Sequence, residues 1–352
     1  MFFGLKSKKF MADNYLENQY EQYQARKAAW EKACKYGVKK STTANQTKSE
    51  KPVVASETDT KKRFTYRKLD AFTSGKSKGN PAACLYLDKD QQLTEEEMLT
   101  IAKDHKGFVS EVVYCSPLAE HAYRLRYYSS ECEVEFCGHG TIACMYNLVK
   151  SNKELAEVKE IAIKTNKGDL KVYNELQSLD AVFITAPDPE YLNVKPSLTD
   201  IASNLGTSPE TIDQQHTIML IDAGLRTLIV PITNLDNILG LLPDELKLKE
   251  FCVNNDIDII LVFTNDVADK SNRIRTRVFA PKFGYLEDPA TGSGNSAMGY
   301  YMLKNQLWDG QPVSIEQNGE KELFNVVKLK AVDGKVLFGG NAVVKIEGVY
   351  SL

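Results

Sequence analysis

A block of fourteen residues occurs twice in this chain, and the repeat limits the possible folds more than any other feature of the sequence. Residues 137–150 and 291–304 align without gaps at an offset of 154, with five of the fourteen positions identical. Each block follows a segment with alternating arginines, Arg124 and Arg126 in one case and Arg275 and Arg277 in the other. Self-similarity at a fixed offset indicates repeated structural units. The sequence therefore predicts a body made of two related halves.

The N-terminal segment differs in charge and composition from the rest of the chain. Residues 1–62 hold 13 Lys/Arg and 7 Asp/Glu, a net charge of +6, whereas the remaining residues carry −9. Apolar residues recur at helical spacing over Asn14–Gly37, which predicts a helix, and Lys39–Lys62 has the composition of a flexible linker. Two interpretations stay open: a helix that docks on an unknown partner or a membrane surface, and a partly disordered extension that packs loosely on the body.

The predicted domain boundaries follow from this division. Residues 1–62 form the extension, residues 63–178 the first half, and residues 179–352 the second half, and the final C-terminal strand is a candidate member of the first half. Short strand-like segments alternate with a few helices in the body, including Thr94–Asp104, Gly138–Lys150, Leu246–Asn254 and Gly292–Asn305. This mixture predicts an α+β protein.

Composition excludes several classes of protein. An acidic body argues against nucleic acid as a partner, and no apolar run approaches the ~18–20 residues of a membrane-spanning helix. The seven cysteines have no paired C-x-x-C spacing, which disfavours a disulfide scaffold and fits a reducing, cytoplasmic location. The four histidines are too scattered to suggest a metal site by spacing, so we expect no metal.

Both repeated blocks contain a Gly-x-Gly at the start of an apolar helix. Glycine lets the backbone approach a ligand closely, and a helix N-terminus presents unpaired N–H groups with partial positive charge. Two such helix starts that face each other across a cleft would hold a carboxylate or stabilise a developing enolate. Neither glycine pair fits a phosphate-binding loop or a dinucleotide fingerprint.

Motifs at these positions resemble the PhzF, or phenazine-biosynthesis-like, family, which shares the diaminopimelate-epimerase fold. The resemblance begins near Phe64 and extends to the C-terminus, and its most specific segments are Glu135-Phe-Cys-Gly-His-Gly-Thr141 and Glu287-Asp-Pro-Ala-Thr-Gly-Ser293. It implies two pseudo-symmetric domains, each a mostly antiparallel, barrel-like sheet around a central helix. The resemblance also implies an inter-domain active site without metal or organic cofactor, a small carboxylate-bearing substrate, and a homodimer.

The resemblance implies roles for individual residues. Glu111 would be the acid/base of a proton-transfer isomerisation, with His139 and Asp288 as the other catalytic candidates. The substrate-binding candidates are the glycines and polar residues Gly138, Gly140, Gly292, Ser293, Gly294, Asn80 and Arg226. Val112-Val113 after the glutamate, Gly140 after the histidine, and Gly294-Asn295 after Ser293 depart from the family pattern, which puts the identity of the substrate in doubt.

The residues themselves leave structural alternatives for these candidates. Glu111 interrupts an otherwise apolar strand, where a carboxylate is costly without a purpose or a partner, but it could also face solvent or pair with an arginine. His139 sits between two glycines at a helix start. Asp288 could serve only an Asp-Pro turn, and Ser293 could simply cap the second helix.

Two other functions compete with the isomerase. Diaminopimelate epimerases place a catalytic thiol just before a similar Gly-x-Gly, and Cys137 stands at that position here. The opposing half has Thr291, which cannot act as a thiolate base, so an epimerase or racemase with two thiols is disfavoured and Cys137 is interpreted as a small buried residue. A non-catalytic ligand-binding module that retains the fold is the second alternative.

Overall fold

A computed structural model describes residues 61–352 of the protein. These residues belong to one compact unit. The predicted helix Asn14–Gly37 and the predicted linker as far as residue 60 lie outside the described residues. No helix between residues 61 and 352 is both long enough and apolar enough to cross a membrane.

Strands and helices alternate along the described part of the chain, as expected for an α+β protein. The strands are β1 (Arg63–Ala71), β2 (Asn80–Tyr86), β3 (Glu111–Ala119), β4 (Ala122–Ser129), β5 (Glu133–Val134), β6 (Glu160–Thr165), β7 (Gly168–Glu175), β8 (Ala181–Thr185), β9 (Glu190–Leu192), β10 (Met219–Asp222), β11 (Arg226–Pro231), β12 (Ile259–Thr264), β13 (Ile274–Phe279), β14 (Glu287–Asp288), β15 (Val313–Gln317), β16 (Asn325–Val332), β17 (Lys335–Gly340) and β18 (Ala342–Ser351). The α-helices are α1 (Glu95–Asp104), α2 (Gly138–Ser151), α3 (Lys153–Ala156), α4 (Leu176–Leu179), α5 (Leu198–Asn204), α6 (Leu235–Leu239), α7 (Glu245–Asn254) and α8 (Gly292–Lys304).

The strand pairings repeat along the sheet. Hydrogen bonds connect the strands in the order β18-β1-β2-β3-β4-β6-β7-β8-β17-β16-β15-β13-β12-β11-β10-β9, with β5 attached to β4 and β14 to β13. From β1 to β8 the neighbours pair antiparallel, parallel, antiparallel, parallel, antiparallel and antiparallel, and the series from β10 to β17 is the same. The predicted duplication is therefore present in the topology, and the pairing of β8 with β17 joins the two repeats.

An ion pair is repeated together with the strands. Arg126 on β4 pairs with Glu133 on β5 at 2.6 Å, and Arg277 on β13 pairs with Glu287 on β14 at 2.8 Å. In both repeats the pair joins the arginine-bearing strand to the short strand that leads into the glycine-rich helix. One arginine of each alternating pair, Arg126 or Arg277, therefore has the same structural role in its repeat.

Helices α2 and α8 are each surrounded by strands of the sheet. Helix α2 contacts β1, β2, β3, β8 and β18, and helix α8 contacts β10, β11, β12, β16 and β17. Because strands cover most of each helix, both are apolar around most of their circumference instead of along one stripe. The buried residues of both helices belong to one continuous hydrophobic core.

The remaining longer helices cover the outer faces of the strands. Helix α1 packs on β3 and β4, and its start has the predicted capping box between Thr94 and Glu97. A second core lies between β10–β13 and helices α5, α6 and α7. This outer layer supports the second repeat and leaves the inner helices enclosed by the sheet.

Some predicted boundaries differ from the observed ones. The predicted strand Val336–Ile346 is two strands, β17 and β18, separated at Asn341, and β18 returns to pair with β1. The predicted strand Phe108–Cys115 begins only at Glu111. Strand β7 was not predicted, because its apolar alternation is limited to Leu170 and Val172. The division of the body at residues 178 and 179 stays a prediction.

Candidate active site

The N-termini of α2 and α8 lie against the same aromatic ring. A β-carbon on Gly138 would be 3.3 Å from Cε2 of Phe338, and a β-carbon on Gly292 would be 2.3 Å from the same atom. Phe338 is a buried residue of β17. The two helix starts therefore meet at this ring, which occupies the space of a side chain at Gly292 and leaves only a tight fit for one at Gly138.

The second glycine of each motif also packs against protein atoms. A β-carbon on Gly140 would be 2.8 Å from Cγ2 of Val113, and one on Gly294 would be 3.2 Å from Cδ1 of Ile259. Close approach to a ligand was the expected reason for these glycines. The contacts described here supply another reason, which is the tight fit of each helix start against the surrounding strands.

Several backbone N–H groups at the two helix starts remain available. The amide of Gly140 donates to Sγ of Cys137 at 3.3 Å. Within residues 61–352 the other amides of the two first turns have no hydrogen-bond acceptor; they belong to Gly138, His139, Gly292, Ser293 and Gly294. A helix N-terminus with unpaired N–H groups attracts negative charge. The joined helix starts can thus bind a carboxylate or an oxyanion.

Three side chains with different chemistry meet beside the start of α2. Oε2 of Glu111 lies 3.3 Å from Nε2 of His139 and 3.7 Å from Sγ of Cys137. The side chains of Glu111 and His139 are 21% and 14% exposed, respectively. Glu111 is thus shielded from bulk water but remains accessible, and it lies beside the start of α2.

Cys137 is the N-cap of helix α2. Its Sγ accepts a hydrogen bond from Gly140 and lies 3.6 Å from Nδ1 of His139. Burial raises the pKa of the Cys137 thiol well above its usual range, and the negative charge of Glu111 raises it further. The thiol is therefore protonated near neutral pH, which agrees with its interpretation as a small buried residue.

Asp288 lies at the end of β14 and is 9% exposed. Its Oδ1 accepts a hydrogen bond from Nδ2 of Asn80 at 2.8 Å, and its Oδ2 accepts one from Oγ1 of Thr291 at 2.5 Å. Burial raises the pKa of Asp288 to about 6, against the lowering effect of the Thr291 hydrogen bond and of His139. The carboxylate is therefore mostly ionised near neutral pH and is held in one position by two donors.

Asn80 contacts Asp288 and Ala290 with its side-chain amide. The same Nδ2 donates to Oδ1 of Asp288 and, at 2.9 Å, to the carbonyl oxygen of Ala290. The side chain was a candidate for substrate contact, but its amide donors are used within the protein. Its contacts indicate that it positions Asp288.

Gln317 is a buried residue near the site that the sequence did not single out. Its Nε2 donates to the backbone oxygen of Asp288 at 2.9 Å, and its Oε1 accepts from the amide of Thr291 and from Nδ2 of Asn295. Gln317 is fully buried at the end of β15. No motif marks it, so only the fold reveals that it fixes the turn before helix α8.

Tyr285 was also missed by the sequence reasoning. Desolvation is the largest cause of a raised pKa of the Tyr285 hydroxyl, and the charges of Asp288 and Glu111 raise this pKa further. Tyr285 is nevertheless 39% exposed, and no hydrogen bond within residues 61–352 joins its hydroxyl to either carboxylate. The signal available in sequence was its position two residues before the family-like segment Glu287–Ser293.

Ser293 is the second residue of helix α8. The hydroxyl of Ser293 has no hydrogen-bond partner in the described part of the chain, and the N-cap of α8 is Thr291, so Ser293 does not cap this helix.

Arg226 forms ion pairs with Asp256 and, at 3.8 Å, with Asp222. Neither ion pair of Arg226 involves Glu111, His139 or Asp288.

The two repeats contribute carboxylates at non-equivalent positions. Glu111 is the first residue of β3, and the first residue of the equivalent strand β12 is Ile259. Asp288 is the last residue of β14, and the last residue of the equivalent strand β5 is Val134. Each carboxylate thus corresponds to an apolar residue in the other repeat, as the sequence predicted for Glu111.

Known proteins resemble the chain over most of its length. Antisense-enhancing sequence 1 of Schizosaccharomyces pombe is 29% identical over 245 residues, which cover 69% of this chain and 81% of that protein. The uncharacterized isomerase YfhB of Bacillus subtilis is 28% identical over 288 residues, which cover 81% of this chain and 95% of that protein.

Solved structures share the fold. The crystal structure of a Bacillus anthracis phenazine biosynthesis protein of the PhzF family matches with a TM-score of 0.70 and 25% identity, over 83% of this chain and 100% of that chain. The structure of a predicted epimerase, PA4716 from Pseudomonas aeruginosa, matches with a TM-score of 0.62 and 19% identity, over 82% of this chain and 99% of that chain. The predicted epimerase-like α+β fold is confirmed.

A protein-family model matches most of the chain. The model PhzC-PhzF, described as phenazine biosynthesis-like protein, matches residues 69–348. This range includes both glycine-rich helices and every candidate site residue. The chain therefore belongs to the phenazine biosynthesis-like protein family.

Proposed function

We propose that this protein is a cofactor-independent isomerase that moves a proton on a small carboxylate-bearing substrate. The observation that carries the proposal is the position of Glu111, 3.3 Å from His139 and beside two helix starts with unpaired N–H groups. Relatives named as uncharacterized isomerases support the reaction class.

Glu111 is the acid/base of the proposed reaction. Its carboxylate removes a proton from an activated carbon of the substrate and returns a proton at another position. The equivalent residue in the second repeat is Ile259, so one carboxyl group makes both transfers instead of two opposed bases. General acid–base help of this kind contributes roughly 10²–10⁴-fold in rate.

His139 and Asp288 support the proton transfer in this proposal. His139 contacts Glu111 directly, so it can share the proton and orient the carboxylate. Asp288 is ionised near neutral pH and interacts electrostatically with His139, and such interactions are stronger in a shielded site than in water. Asn80 keeps the carboxylate of Asp288 in place through its hydrogen bond of 2.8 Å.

The joined helix starts bind the substrate's carboxylate and the charge that develops during the reaction. Unpaired amides of both helices and the free hydroxyl of Ser293 provide the donors. Phe338 fixes the two helix starts against each other, so these donors need little rearrangement during the reaction. Preorganised donors of this kind supply a large share of enzymatic rate enhancement.

The geometry disfavours the two competing functions. A racemase with two thiols needs a second thiol opposite Cys137, but Thr291 stands there, and its hydroxyl donates to Asp288. The buried thiol of Cys137 is also a poor base because its pKa is raised. A non-catalytic binding module would not need a shielded carboxylate in contact with a histidine.

Substitution of Glu111 by Gln tests the proposal. Small cyclic and amino-acid carboxylates are screened for incorporation of solvent deuterium by the wild-type protein, and the exchanging substrate is then used with each variant. We expect E111Q to lose roughly 10²–10⁴-fold in exchange rate, and E120Q, at a glutamate whose side chain is 89% exposed, to exchange at the wild-type rate. Wild-type exchange by E111Q would overturn the mechanism.

A further inference from the structure

The cluster of Glu111, Cys137 and His139 has the composition of a site for a transition metal. Each residue offers one ligand atom, and these atoms all lie within 4.8 Å of one another; among residues 61–352 no other group of three such side chains does so. Thiolate, imidazole and carboxylate are the ligands that zinc takes in proteins. Magnesium and calcium prefer oxygen ligands alone, so the thiol selects against them.

The distances between the ligand atoms agree with tetrahedral coordination. Metal–sulfur bonds of about 2.3 Å and metal–nitrogen or metal–oxygen bonds of about 2.0–2.1 Å give sulfur–nitrogen and sulfur–oxygen separations of about 3.6 Å and a nitrogen–oxygen separation of about 3.3 Å. Sγ of Cys137 lies 3.8 Å from Nε2 of His139 and 3.7 Å from Oε2 of Glu111, and Nε2 lies 3.3 Å from Oε2. Sγ also lies 3.6 Å from Nδ1, so one ion can contact all three atoms only after the imidazole of His139 rotates to aim Nε2 at it.

We propose that the protein binds one Zn²⁺ ion at Glu111, Cys137 and His139, and that this ion blocks the isomerase site reversibly. On binding, the thiol of Cys137 releases its proton to solvent and the thiolate forms a bond to the metal, while His139 binds as the neutral imidazole. The inhibitory effect rests on the proposed function, because the metal takes the oxygen lone pair with which Glu111 would accept a proton.

The surroundings leave the fourth position of the metal open. Both carboxylate oxygens of Asp288 accept hydrogen bonds, from Asn80 and Thr291, so Asp288 would have to leave these partners to turn toward the metal. Three protein ligands with one open position are typical of accessible zinc sites, whereas structural zinc sites have four protein ligands. Zinc is therefore expected to be removable by a chelator without unfolding the protein.

Metal binding is measured on the full-length protein without substrate. Cobalt(II) replaces zinc as a spectroscopic probe, because a cobalt–thiolate bond gives a charge-transfer band in the near ultraviolet. Zinc affinity is measured by competition with a chromophoric chelator. We expect the band and tight zinc binding in the wild-type protein and in C132S, which removes an exposed cysteine outside the cluster.

Two variants remove one ligand each. C137S loses the band, and its serine can still accept the hydrogen bond from Gly140 that caps α2. H139A keeps the thiol but loses a nitrogen ligand. We expect zinc affinity to fall roughly 100-fold or more in both, because even loss of an outer partner of a metal ligand costs 10–100-fold. Circular dichroism melting curves confirm that each variant is folded.

The results separate this inference from the proposed function. If the wild-type protein gives no thiolate band, or if C137S and H139A bind zinc as tightly as C132S, the zinc site is wrong whatever the activity. If zinc binds through Cys137 and E111Q still exchanges deuterium at the wild-type rate, the proposed function is wrong but the metal site stands. Inhibition of exchange by zinc and its recovery with chelator would support both.

Discussion

Phe338 lies so close to Gly292 that a β-carbon on the glycine would be 2.3 Å from Cε2 of the ring. The same ring lies against Gly138 at the start of the other central helix. One buried side chain therefore sets the separation of the two helix starts, and its replacement or displacement should alter stability and site geometry together.

Substitution of Gly292 by Ala tests this relationship. The added methyl group must displace a buried aromatic ring, and overpacking of this kind typically costs about 1–3 kcal/mol in the free energy of unfolding. Urea denaturation of the variant measures the loss, and deuterium exchange measures the effect on the site.

Gly348 provides the matched control for this substitution. It lies on β18 with no atom within 4 Å of an added β-carbon, so G348A is expected to change stability by less than about 0.5 kcal/mol. A double variant, G292A with F338L, should lose less stability than the sum of the single variants, because the smaller side chain makes room for the methyl group. Equal stability of G292A and G348A would contradict the packing argument.

Asp288 should make the protein less stable as pH rises from about 4 to about 6. Its pKa is raised by burial from 3.8 to about 6 in the folded protein. Between these values the folded state holds a proton that the unfolded chain has released, so the contribution of this group to stability declines as pH rises from about 4 to about 6. The change amounts to about 3 kcal/mol at most, since one pKa unit corresponds to about 1.4 kcal/mol.

The variant D288N isolates this contribution. Urea denaturation at several values between pH 4 and pH 7 gives the free energy of unfolding of the wild-type protein and of the variant. We expect the wild-type value to fall relative to that of D288N as pH rises, and D169N, at an exposed position on β7, to follow the wild-type protein. Parallel curves for the wild-type protein and D288N would show that burial does not raise this pKa.

Alkylation of cysteines tests whether Cys137 acts as a thiolate. Burial raises the pKa of Cys137, whereas Cys132 is exposed. Without metal, iodoacetamide should therefore modify Cys132 well before Cys137, because the thiolate form reacts and access is needed. Mass spectrometry of peptides after timed quenching identifies the modified residues.

The outcome also separates the isomerase from the racemase alternative. Modification of Cys132 should leave deuterium exchange intact, and C132S should behave in the same way. Rapid alkylation of Cys137, with loss of activity and protection by substrate, would favour a thiol base and count against Glu111.

Sequence predicted the central elements well because their signals are local. The Gly-x-Gly motifs and the apolar residues after them located α2 and α8 to within one residue at each end, and the capping box of Thr94 and Glu97 located α1. In these cases the residues that define a helix start lie within one turn of it.

Contacts between distant segments could not be predicted in the same way. Asn80 and Asp288 are 208 residues apart, and their hydrogen bond depends on the register of several strands. Phe338 lies under the glycines of two helices, but in sequence it is one apolar residue of a strand. Helices α5 and α6 were not predicted from the sequence. Both are short, and tertiary packing stabilises such helices more than intrinsic propensity does.

Glu111 and Asp288 come from different repeats, and each repeat has an apolar residue where the other has its acid. In the proposed mechanism, a fragment cut between β8 and β10 would therefore hold only one of the two acids, and we expect it not to turn over substrate alone. On the same proposal, mixing one protein altered at Glu111 with another altered at Asp288 should not restore activity unless the chains exchange whole repeats.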